Sequence, residues 1–103
     1  MKKLIQAGRD VNEQNVNEYD LTPLHEASRE GHLEVVNTLI QTGGEVNKKK
    51  GDGWTPLHLA THNGHVEVIT ALLAAGADKT IQNRNGKTPH DVAKNQDCKN
   101  ALE

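Results

Sequence analysis

The chain has 103 residues, a formal net charge of −2 and 34% hydrophobic residues, which suits one domain and excludes an assembly of several ordinary ones. With no Phe, one Trp (Trp54) and one Tyr (Tyr19), its core must be aliphatic and thin. The 12 Lys plus Arg against 14 Asp plus Glu give no global field for nucleic acid or an anionic membrane, and no window approaches the ~20 apolar residues of a spanning helix.

In chain order, Leu4-Ile5-Gln6-Ala7-Gly8 matches Leu39-Ile40-Gln41-Thr42-Gly43, so the chain opens inside a second helix whose first helix is missing. The stretch from Asp10 to Thr22 reads as a hairpin. It is two residues longer than Glu45 to Thr55 or Asp78 to Thr88, which predicts a bulged or irregular loop. Thr22-Pro23-Leu24-His25-Glu26-Ala27 then starts a helix: Thr caps the orphan amides and Pro fits the first helical position. Gly31-His32 interrupts it, and Leu33, Val36, Leu39 and Ile40 recur at helical spacing as one apolar face. Gly43-Gly44 follow, where a left-handed residue ends a helix. Residues 45–54, rich in Asn, Lys and Gly, read as an extended turn or β-hairpin.

The next unit repeats this plan. Thr55-Pro56-Leu57-His58-Leu59-Ala60 lies 33 residues after the first motif, Gly64-His65 makes the break, Val66, Ile69, Leu72 and Leu73 give the second apolar face, and Gly76 the stop. A looser copy, Thr88-Pro89-His90-Asp91-Val92-Ala93, lies 33 residues further on. A fixed period of this size means a stacked array. In the last copy His90 sits where Leu24 and Leu57 sit, and Asp91 replaces the motif histidine. That unit is therefore either loosely packed or has His90 in solvent, because an unpartnered buried imidazole costs roughly 1 to 3 kcal/mol. Cys98 to Glu103 falls on His65 to Thr70. The units divide as 1–21, 22–54, 55–87 and 88–103. Their helices, roughly nine or ten residues long, are marginal alone and need their neighbours.

The hairpin, helix, turn, helix unit with Thr-Pro-Leu-His, Gly-His and the Gly76-Ala77-Asp78 ending strongly resembles the ankyrin repeat over nearly the whole chain. The resemblance implies a mostly α fold, a single solenoid domain over 1–103 of helix-turn-helix units linked by short β-hairpins. It also implies a non-catalytic protein–protein interaction module whose hairpin tips and first helices form one concave face. Terminal units without a polar outer face expose apolar surface, so the chain reads as a piece of a longer protein or a truncation. A monomer is expected, with association through the uncapped ends as the alternative.

Specificity in a repeated framework comes from positions the framework does not use. Counted from each Thr-Pro these are Glu18, Tyr19, Leu21, Arg29 and Glu30; Gly51, Asp52, Trp54, His62 and Asn63; and Arg84, Asn85, Lys87, Asn95 and Gln96. Both aromatic residues fall in this set, and Trp54 is the favoured anchor, with a role as cover for the hairpin stem weighed equally. The partner is another protein of unknown identity. A targeting or substrate-recruiting segment of a larger enzyme remains the alternative.

Other chemistry is weaker. His58, His62 and His65 form an H-x-x-x-H-x-x-H run, but His58 and His65 recur at repeat positions and there is neither a Glu base within the run nor a nearby Cys ligand. Cys98 lacks an oriented base, and Thr22/His25/Ser28 lacks a buried acid or an oxyanion site. Gly51-Asp52-Gly53 is not a phosphate loop. No metal or cofactor is expected. Lys48-Lys49-Lys50, with Lys79, Arg84 and Lys87, could form a basic strip beside Trp54, yet a solvated edge is the simpler reading and nucleic acid is disfavoured. Asn12 and Asn47, each with a leucine eight positions earlier, resemble the acceptor pattern for asparaginyl hydroxylation in ankyrin repeats, against a structural role in the hairpin turn. The single cysteine cannot close an intrachain disulfide, which suits an intracellular, cytoplasmic or nuclear setting.

Overall fold

Two short helices begin at Thr-Pro corners, α1 (Pro23–Glu30) and α3 (Pro56–His62), each followed by a longer antiparallel helix, α2 (Leu33–Gln41) and α4 (Val66–Ala74). The computed structural model describes residues 18–103; the Leu4–Gly8 segment, the first hairpin up to residue 17 and Asn12 lie outside them. Both first helices carry a complete capping box. The Thr22 hydroxyl accepts from the His25 amide (3.2 Å) while the Thr22 amide donates to His25 Nδ1 (3.0 Å); Thr55 and His58 repeat this at 3.3 and 3.1 Å. Since Nδ1 accepts, the ring proton sits on Nε2, which donates to a carbonyl of the following hairpin. For His25 that is Lys48 O and for His58 it is Lys87 O, both at 2.8 Å.

The first helices pack on one another, α1 on α3, and the second helices likewise, α2 on α4. The core between them repeats with the sequence: Leu24 and Leu57, Ala27 and Ala60, Val36 and Ile69 are all buried, joined by Val68, Leu72, Cys98 and Leu102. Fully burying one such leucine is worth roughly 1.5–3 kcal/mol. His25, His58, Thr55 and Thr61 are equally buried, so the interior also holds polar groups whose burial requires hydrogen-bond partners. The turn glycine between α1 and α2 is also an inter-unit contact. Gly31 is left-handed (φ 79°) and a Cβ there would lie 2.6 Å from the His65 ring, whose Nε2 donates to Arg29 O at 2.9 Å.

The connections are closed hairpin loops. Lys50 N–H donates to Trp54 O (3.0 Å) and Asn83 N–H to Lys87 O (2.9 Å). Remaining amides reach sideways: Gly51 N–H to Tyr19 O (2.6 Å) and Arg84 N–H to Asp52 O (3.0 Å). The expected hairpins are thus present, but among the described residues none forms a strand ladder, because each loop closes on one pair and gives its next donor to its neighbour. Asp20, Gly53 and Gly86 occupy the same corner, 33 residues apart, at φ 62°, 83° and 75°. The described end of the first loop therefore turns through the same left-handed residue, with Asp in place of Gly, and Leu21 N–H closes it on Glu18 O at 3.0 Å.

The C-terminal unit departs from the plan as its sequence does. Thr88 and Asp91 keep the cap, Thr88 N–H donating to the carboxylate at 2.9 Å, but the first helix shrinks to one 3₁₀ turn, His90–Val92. His90 is half-exposed and lies 3.2 Å from the Glu103 carboxylate, the solvent-reaching outcome of the two expected. The last helix, α5 (Gln96–Leu102), starts three residues earlier than the repeat register predicts. Asp97 stands where Gly64 breaks the preceding unit, so nothing enforces a left-handed turn, and the Asn95 side chain caps the helix by accepting from Cys98 N–H (3.0 Å). Cys98, in the first turn of α5, is consequently buried in the core.

Two outcomes test this framework. Gly53→Ala and Gly86→Ala force the same left-handed strain, about 1 kcal/mol or slightly more. A Cβ at Gly53, however, would meet Arg84 N at 2.8 Å, whereas Gly86 opens to empty space. Urea unfolding should show Gly53→Ala costing a further 1–3 kcal/mol or so; equal losses would mean that the hairpins are not in contact. Burial holds the His25 and His58 imidazoles below the ordinary histidine pKa. The unfolded chain therefore takes up protons that the folded one refuses: stability is full above about pH 6.5 and declines as pH falls below it. The urea midpoint at about pH 5.5 should lie below that at about pH 7.5, a window in which Asp78 and Asp91, whose carboxyls are held below their usual range by hydrogen bonds from Thr80 and Thr88, stay ionised.

Candidate functional site

Trp54 occupies the middle of the hairpin line. Its amide donates to Asp52 Oδ1 (3.1 Å), and its ring lies 5.5 Å from the His58 ring and 5.1 Å from that of His62, the latter edge-to-face at 82°. The indole is thereby supported from α3 and is half-buried. His62 is exposed; its Nδ1–H donates to Val92 O at 3.2 Å, which ties the end of α3 to the last unit. Tyr19, one hairpin earlier, is 64% exposed while its carbonyl is held by Gly51. Through these bonds the residues 18–21, 51–54 and 84–87 lie on adjacent hairpins.

Beneath the first two hairpins runs an ion network. Lys50 Nζ, only 3% exposed, lies 3.0 Å from Asp52 Oδ2 and 3.4 Å from Glu18 Oε2, and Glu18 Oε1 lies 3.5 Å from Arg29 Nη1. Glu18, Arg29 and Asp52, chosen above for variability, therefore first hold the hairpins in register. The sequence offers one signal for Lys50, its equivalence to Asn83. Both are buried, and both close the loop, Asn83 through Oδ1 accepting from Asn85 and Lys87 amides at 2.9 and 3.0 Å.

The remaining selected positions divide in the same way. Asn63 donates to Leu59 O (2.8 Å), Asn95 caps α5, and Leu21 is half-buried. Glu30 is exposed beside His32, and Arg84, Asn85, Lys87 and Gln96 are exposed. The lysine strip is corrected: Lys50 is drawn inward by two carboxylates, and Lys79 Nζ donates to Leu102 O at the end of α5 (2.6 Å), so no continuous basic edge forms. Lys94, omitted by the counting, is exposed and lies beside Gly64, since the early start of α5 shifts the last unit.

The alternative chemistries meet committed groups. Both His58 nitrogens are bonded, as is His65 Nε2, and among the described residues no three His, Cys, Asp or Glu side chains are grouped to hold a metal ion. Ser28 Oγ is buried with no hydrogen-bond partner, and it is not paired with His25, whose nitrogens serve Thr22 and Lys48. Asn47 bridges to the next unit, its Oδ1 accepting from Asp78 N–H at 2.7 Å and its amide donating to Gly76 O at 3.4 Å. No helix among the described residues is long and apolar enough to cross a membrane.

The profile described as Ankyrin repeats (3 copies) matches residues 1–83 and 42–102. No individual curated protein matches the chain. Profile and stacked Thr-Pro-capped helix pairs agree, and the chain belongs to the ankyrin-repeat family.

Proposed function

We propose that this chain is a non-catalytic module that binds another protein along its line of hairpins, with Trp54 as the central anchor and Tyr19, His62 and the exposed Arg84 and Lys87 around it. Ankyrin repeats are generally protein–protein interaction modules and are typically non-catalytic. The observation that carries the finer reading is the state of Trp54, half-buried on two histidine rings and backed by a hairpin bonded on both sides. An aromatic ring presented on a fixed backbone meets a partner with little ordering cost, and interface energy concentrates in such residues. Glu30 and Asn85 flank the line at the surface; Glu18, Leu21, Arg29, Asp52, Asn63 and Asn95 shape it from beneath or at its helix ends.

The test is affinity capture from a cell extract with the wild-type chain beside Trp54→Ala, followed by titration of the protein that is lost. Trp54→Ala should weaken that partner by ~2 kcal/mol or more, roughly thirtyfold, while Thr70→Arg on the exposed side of α4 should leave it unchanged. The reverse pattern, loss with Thr70→Arg and none with Trp54→Ala, would place recognition on the second helices.

A further inference from the structure

The hairpin line carries an ordered charge. Counting hairpin and first helix of each unit with neutral histidines, residues 18–31 hold Glu18, Asp20, Glu26 and Glu30 against Arg29, a net −3; residues 50–63 hold Lys50 against Asp52, a net 0; residues 83–95 hold Arg84, Lys87 and Lys94 against Asp91, a net +2. The structure sets these blocks side by side in that order, through Gly51 N–H to Tyr19 O and Arg84 N–H to Asp52 O. It also selects which charges face outward. Glu18 is compensated by Arg29 and Lys50, and the Asp91 carboxylate is engaged by Thr88. Asp20, Glu26 and Glu30 stay exposed at one end, and Arg84, Lys87 and Lys94 at the other. Arg84 Nη1 donates to Gly51 O at 3.2 Å, holding its guanidinium at the seam with the middle hairpin.

We propose that this surface is a polar track for a protein segment of the opposite order: basic side chains over residues 18–31, an apolar or aromatic side chain on Trp54, and acidic side chains over residues 83–95. The inference rests on the hairpin line being the binding face. A protein segment fits where a nucleic acid does not, because phosphates are negative at every step and would meet the acidic block as soon as they extended beyond the basic one. Opposed charge blocks set the register of a bound segment and reject uniformly charged ones. Their attraction is screened by salt over about 10 Å at 0.1 M.

The probe is a displayed library of random peptides of about 12 residues, long enough at roughly 3.3 Å per residue to cross several hairpins, selected on the wild-type chain at low salt. Selected peptides should carry basic and acidic residues in separate blocks about an apolar centre and lose binding to Trp54→Ala. Against Arg84→Glu/Lys87→Glu/Lys94→Glu, three exposed positions, their affinity should fall about tenfold or more, the sum of three modest surface pairs. Glu26→Lys/Glu30→Lys provides the same test from the other end should the triple variant not fold. Peptides that depend on Trp54 but show no charge segregation and ignore both charge variants would overturn the ordered track and leave the Trp54-anchored surface standing. No binders, or binders indifferent to Trp54→Ala, would overturn the surface and the track with it.

Discussion

The stack depends on one neutral imidazole in each of its two full units, His25 and His58, at the fourth position of Thr-Pro-Leu-His. Its Nδ1 accepts the cap amide of its own helix, and its Nε2–H reaches a carbonyl in the following hairpin, 23 residues away for His25 and 29 for His58. Local helix initiation and a long-range contact are thus decided by the same ring. Helices of seven and eight residues, such as α3 and α1, gain little from propagation, so a cap that is also a tertiary bond has unusual weight. The third unit shows what each half is worth. Asp91 reproduces the cap but has no proton and no reach for a further hairpin, and the helix contracts to a single 3₁₀ turn.

With the hairpins held from below, their corners can touch. The left-handed corner recurs as Asp20, Gly53 and Gly86, and of the two glycines Gly53 is closed in by the backbone of the next loop while Gly86 is open. Asp tolerates a left-handed backbone better than most residues, which permits it at the first corner. The loop interiors show two solutions to one problem. Asn83 closes its loop with a single amide oxygen, whereas Lys50 does so with a cation shared between Asp52 and Glu18. The second solution spans two hairpins and fixes them to one another. Removing one member of such a group leaves buried charge uncompensated, which makes Lys50 a part of the framework despite its place in a lysine run.

The period, the Thr-Pro caps, the glycine turns and the apolar faces were legible in the sequence because each depends on residue type at fixed spacing. Three features were not. Lys50 looks like a solvated lysine between two others, and its burial follows only from where Glu18 and Asp52 come to lie in space. The early start of α5 depends on an absence, Asp97 in place of a turn glycine, which lets Asn95 take over the cap and turns Cys98 into a core residue. Among positions selected for variability, Tyr19, Trp54 and Arg84 lie on contiguous hairpins, while Asn63 and Asn95 are spent on helix ends. Variability along a repeat marks freedom from the shared framework, and a residue so freed can be used for a local contact instead of an external one.

That distinction narrows the electrostatics of the surface. Asp52, which accepts the Trp54 amide, is paired with Lys50, so the charge of the hairpin that carries the indole is balanced. A neutral centre favours desolvation, since no unpaired charge must lose its water when an apolar group covers the ring. The unbalanced charges lie to either side, on hairpins whose backbones are bonded to the central one. Attraction at the flanks and desolvation at the middle are then mechanically one unit: a partner drawn in by the charged ends meets the ring at a fixed offset, because the carbonyls of Tyr19 and Asp52 join the three loops. Long-range charge sets orientation and approach, and the short-range apolar contact supplies the affinity.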